Sequence, residues 1–135
     1  MLGLGGHDGD DAGSVVARHV DAVLGVLFDD DGPRRHAVLV DHLAADFVFV
    51  DPTQVTDGVL GLDAAFNGLR HDAQDETALV RTSGVEVHHG YFSFSWARTE
   101  AGRAVESGTA FGWTDDEDRP RRLVAFIGPA DPHRT

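Results

Sequence analysis

The sequence predicts an α+β domain, a curved antiparallel sheet wrapped as a cone around about three N-terminal helices. Two patterns and their order lead there. Apolar residues recur at helical spacing through the first third of the chain, and from about residue 77 they alternate in twos. Helices first and then a long meander of strands is the signature of α+β rather than of a parallel α/β sheet.

Each element has a local reason. Residues 1–13 are Gly/Asp-rich and aperiodic, and are expected to form a flexible tail ahead of the domain at 14–128. Ser14 is an N-cap type, and Val15, Val16, His19, Val20, Val23, Leu24, Leu27 and Phe28 follow at helical spacing. The run DDDGP at 29–33 stops that helix. A second is expected over 34–45, with Val38, Leu39, His42 and Leu43 on one face. Phe47 to Val50 has strong β preference. DPTQVTDG at 51–58 is a Pro/Gly/Asx loop with room for a hairpin turn, and 61–72 is a short third helix capped near Asp63. Strands are then expected over 77–89, 91–99, 103–114 and 121–128. Turns at EAG (100–102) and DDEDRP (115–120) separate the last three, and a C-terminal tail follows at 129–135.

Composition narrows the function. The chain has 135 residues, enough for one domain with its own core. Its 11 basic residues are all arginine, and its formal net charge is −12. That charge argues against a nucleic-acid or anionic-membrane surface and is compatible with a neutral or cationic small ligand. There are no cysteines, hence neither disulfides nor thiolate chemistry. No apolar run reaches the length of a membrane span, and the first residues lack the basic and apolar regions of a signal peptide, so a cytoplasmic protein is expected.

The stretch DFVFVDP at 46–52 poses the chemical question, because an apolar strand ends on a carboxylate. Strand parity puts Phe47, Phe49 and Asp51 on one face. Either Asp51 enters an apolar cavity, where burial would raise its pKa toward the range of a useful base, or it caps the turn that follows. His19 shares a helix face with Val15, Val16 and Val23, and is either a satisfied core histidine or a donor at that cavity. His88 and His89 point to opposite faces, and counting in twos from Phe92 and Trp96 selects His88 as the inward one unless Gly90 marks a bulge. Phe92, Phe94, Trp96 and Phe126 are core or cavity wall. Gly108, Ala110 and Gly112 alternate on one face, where small residues either leave room for a ligand or permit close packing. No spacing motif supports a metal, and no cofactor is implied. Tyr91, Ser93, Ser95, Phe111 and Trp113 fall on the outer face, and such aromatics predict a homodimer through the sheet.

Two longer stretches, LAADFVFVDP…GVLGLDAAFNGL and HHGYFSFSWARTEAGRAVESGTAFGWTDDEDRPRRLVAFIG, resemble the SnoaL-like branch of the nuclear-transport-factor-2-like superfamily over about residues 14–128. The resemblance implies the cone fold directly. It also implies, from ketosteroid-isomerase relatives, a general base at Asp51, a donor position now held by His19, and a second donor position now held by Ala110. In that isomerase an apolar site tunes the carboxyl groups for these roles, and the roles come to this chain by resemblance alone. The implied function is proton transfer on a small apolar carbonyl compound, as in an isomerase, cyclase or dehydratase. The alternative is a non-catalytic ligand-binding or dimerisation domain.

Overall fold

The computed structural model describes residues 2–73 and 76–128. Four helices, α1 (Leu2–Val26), α2 (Gly32–His42), α3 (Gly58–Ala65) and α4 (Asn67–Asp72), pack against seven strands. The strands are β1 (Val48–Asp51), β2 (Gln54–Asp57), β3 (Thr77–Arg81), β4 (Glu86–His88), β5 (Tyr91–Glu100), β6 (Arg103–Thr114) and β7 (Pro120–Ile127). They form one curved, unclosed sheet in the order β2-β1-β7-β6-β5-β3, with β4 also paired to β5. All pairings are antiparallel except β1 with β7.

The α+β expectation holds, with local differences. The α1 backbone is helical from Leu2 rather than from Ser14, where a tail was expected. Once a packed segment has nucleated a helix, each further turn needs only one hydrogen bond per residue fixed, so Gly-rich flanks can follow. The expected C-terminal tail lies outside the described residues. At α2, the Asp31 side chain accepts from the Arg34 N–H at 3.1 Å and Pro33 occupies the first turn, the pairing of cap and proline that starts helices well. The expected third helix is two, meeting at Phe66. Asp63 is not its cap. It accepts from Arg35 Nε at 2.5 Å and from Arg70 Nη2 at 3.0 Å, joining α2, α3 and α4 through one carboxylate.

Two tight hairpins set the registers. Ala101 and Gly102 have φ of 50° and 80°, and His89 and Gly90 have φ of 54° and 82°. Paired positive φ values are what a two-residue hairpin needs to match strand twist. On the inner face of β5, Phe92, Phe94 and Trp96 sit opposite Gly112, Ala110 and Gly108 of β6. A Cβ at Gly108 would lie 1.9 Å from the Phe126 carbonyl oxygen and 2.8 Å from the Trp96 ring, and one at Gly112 would lie 2.0 Å from the Arg122 carbonyl oxygen and 2.9 Å from the Phe92 ring. Gly108 and Gly112 therefore permit close approach of the β7 backbone as well as of the β5 rings, the close-packing reading of this face.

The interior has two parts. At one end Val16, Val20 and Leu24 of α1 cover Phe92, Phe94 and Trp96. At the other, Val23, Leu27, Leu39, Phe49, Leu62 and Phe66 are among the residues that gather beneath α2 and α3.

Candidate functional site

A cavity of about 580 Å³ opens at the second end of the cone. Phe49, Phe94, Trp96 and Ala110 stand on the sheet side, and Leu62 and Phe66 on the helix side. The mouth lies where lining residues emerge into solvent, at Thr53, Leu69 and Ile127. Phe49, Phe94, Trp96 and Ala110 are thus placed on the cavity wall.

Asp51 has the position of the first reading and the bonding of the second. It lines the cavity, one strand step beyond Phe49, and it also caps its own turn. Its Oδ1 accepts from the Thr53 N–H at 2.8 Å, the Thr53 hydroxyl at 2.9 Å and the Gln54 N–H at 3.1 Å. Its Oδ2 accepts from Gln54 Nε2 at 3.1 Å. Burial alone would push its pKa up, but these donors favour the charged form and hold the carboxyl below its ordinary value. Asp51 is therefore an ionised acceptor fixed on an apolar wall, whereas the cavity alone would have given it a raised pKa.

His19 is not on this wall. Its Nδ1 lies 2.9 Å from Nδ1 of His42, one ring donating and the other accepting, and the pair ties α1 to α2. Burial, then the neighbouring His42, Arg18 and Arg119, lowers the His19 pKa, with Asp115 opposing. The residue is the satisfied, partly buried histidine. Helical spacing placed it on an inward face but did not distinguish the face toward α2 from the face toward the cavity.

His88 also departs from its expected place. It pairs with Tyr91 across the hairpin and is exposed, with Glu86 Oε2 3.8 Å from its Nε2. Cross-strand partners share a face, so Val87, opposite Phe92, is the inward residue. The two-residue turn at His89–Gly90 breaks the count in twos. Phe126 points outward and is 56% exposed, because Leu123, Ala125 and Ile127 take the cavity side of β7. That strand is apolar on both faces, which leaves its parity unreadable. Phe92 is buried at the filled end rather than on the cavity wall. His19, His88 and Asp51 do not converge, and among the described residues no group of three or more His, Asp or Glu is placed to hold a metal.

Four polar residues of the lining were missed, Thr53 and Gln54 beside Asp51, and Arg98 and Glu106 on the long strands. Arg98 follows Phe92, Phe94 and Trp96 in the inward alternation of β5, and Glu106 pairs with it across β6. The same period-two count, carried one step past Trp96, would have found Arg98. Its Nη1 donates to Glu100 Oε2 at 3.2 Å, and its Nε lies 3.6 Å from Glu106 Oε1.

The fold is shared with known structures. A SnoaL-like family member from Agrobacterium tumefaciens carrying an isomerase designation superposes with a TM-score of 0.74 at 22% identity, over 88% of this chain and 99% of that one. A nuclear-transport-factor-2-like protein of unknown function from Mesorhizobium loti gives 0.62 at 13% identity, over 88% and 93%. A SnoaL-like protein from Jannaschia sp. CCS1 carrying a polyketide-cyclase designation gives 0.55 at 18%, over 81% and 84%. No family model and no curated protein matches the chain. The architecture is the nuclear-transport-factor-2-like cone, and its solved neighbours include SnoaL-like proteins.

Proposed function

We propose that this chain binds a small, largely apolar carbonyl compound in the cone and holds it without turnover, as a homodimer paired through the outer face of the sheet. The observation that carries the binding reading is the cavity itself. Its volume of about 580 Å³ suits a small molecule, and its few polar groups are gathered among apolar walls. Two features speak for holding over turnover. All four donors on Asp51 come from its own turn, and neither His19 nor Ala110 offers a polar group beside it.

A second reading is proton transfer in the isomerase, cyclase or dehydratase sense, with Asp51 as base. It is favoured by the ionised carboxylate on the cavity wall and by the designations of the Agrobacterium and Jannaschia proteins. The two readings separate on one sample. Binding of 2-decanone is measured by calorimetry, and exchange of its α-protons in D₂O is followed by proton NMR. Saturable binding with exchange no faster than in buffer is expected. Acceleration that disappears in Asp51→Asn would establish proton transfer instead.

The dimer reading rests on Tyr91, Phe111, Trp113 and Phe126, all exposed on the outer face. The Tyr91, Phe111 and Trp113 rings touch one another at centroid distances of 6.0–6.5 Å. A contiguous aromatic patch of this kind favours a partner. Sedimentation equilibrium should give twice the chain mass, and a single Trp113→Arg change should return it to the monomer.

A further inference from the structure

Arg98 is the one cationic side chain among the described residues that line the cavity. A guanidinium carries five N–H donors in a fixed fork and is charged at any ordinary pH. Here one of them makes a hydrogen bond, to Glu100 Oε2 at 3.2 Å. Glu106 Oε1 is 3.6 Å from Nε, close enough for charge attraction but beyond hydrogen-bond length. Arg98 thus presents unused donors beside an apolar cavity, with 29% of its side chain exposed.

We propose, resting on the ligand-binding reading above, that Arg98 receives the carbonyl oxygen of the bound compound and selects uncharged ligands over acids and amines of the same size. The apolar walls take the body of the ligand. Its polar end then meets a guanidinium whose charge is already opposed by Glu100 and Glu106. A ligand carboxylate would bring a further negative charge beside Glu100 and Glu106, two carboxylates that already face the one guanidinium, so it gains Arg98 only against repulsion. A ligand ammonium offers Arg98 no lone pair. It would meet the like charge of the guanidinium, and Asp51 is already occupied by four donors. It would also lose hydration against apolar walls. A carbonyl oxygen takes the free N–H groups and carries neither penalty.

The test uses three ten-carbon probes, 2-decanone, decanoate and decylamine, titrated into the full chain by calorimetry near neutral pH. The ketone should bind at least about tenfold more tightly than either charged probe. Arg98→Met, which keeps an apolar stem of similar reach, should reduce ketone affinity about tenfold, and Arg98→Lys should fall between. In the unaltered chain, ¹⁵N NMR should show the Arg98 Nε–H signal shifting on addition of 2-decanone, a readout that needs no variant. If the ketone binds but Arg98→Met and the Nε–H signal are indifferent to it, Arg98 is not the receptor. Decanoate or decylamine binding as tightly as the ketone would overturn the selectivity. If none of the three binds, the ligand-binding reading falls first and this inference with it.

Discussion

The two ends of the cone are built from the same materials and finish differently. Along β5 and β6 an aromatic residue faces a small one three times in succession, from Phe92 with Gly112 to Trp96 with Gly108. At the Phe92 end, Val16 and Val20 of α1 sit directly on the rings and fill the space. Beyond Trp96 the lining passes to Leu27 of α1 and to Leu62 and Phe66, where the short α3 and α4 meet, and a cavity remains. Whether an aromatic stripe becomes core or binding wall is thus decided by the helix laid over it, and the strand's own sequence is nearly silent on the matter.

Several changes would break that contrast, and their costs should differ. Phe92→Ala, at the filled end where Phe92 is 2% exposed, should destabilise the chain by roughly 3–4 kcal/mol in urea unfolding, the usual cost of emptying a packed aromatic site. Phe49→Ala removes a ring that already borders open space, and about half that loss is expected because fewer contacts are forfeited. A smaller effect concerns pH. The lowered His19 pKa means the unfolded chain binds the proton more readily, so this residue's contribution is present above its unfolded value near 6.5 and lost as pH falls below it. Melting temperature should therefore decline between about pH 7 and 5.5, and His19→Gln should flatten that decline. Below about pH 4 the depressed carboxyls, Asp63 and Asp115 among them, produce a separate loss that the variant leaves in place. The smallest stability change belongs to Gly68→Trp. Gly68 has ordinary helical backbone and no atom within 4 Å of an added Cβ, so the fold should hold to within about 0.5 kcal/mol. An indole at that point of the cavity lining should nonetheless abolish 2-decanone binding.

The fold was legible because alternation and helical spacing are local, and the β5–β6 hairpin carries its own turn signal in Ala101–Gly102. The site was legible only where one strand's parity sufficed, as for Phe49 with Asp51 and for Phe94 with Trp96. His88 was lost because a two-residue turn resets the count, and His19 because an inward helix face at that point meets α2. Arg98 lay within reach of the same alternation, but a charged residue at the end of an apolar stripe reads as a strand emerging into solvent. The competition at Asp51 between burial and four hydrogen bonds depends on how the turn closes, which spacing does not encode.

The way β3 and β4 share β5 has a consequence for solubility. They pair with opposite ends of the same strand edge, β3 with residues 96–100 and β4 with 91–93, and the other border of the sheet is the four-residue β2. Among the described residues, neither border offers a long run of unpaired amide and carbonyl groups on which a foreign strand could continue the ladder. An open sheet with a sticky aromatic face would ordinarily invite fibre growth. Here such growth would find only short, interrupted templates at the edges of the described strands.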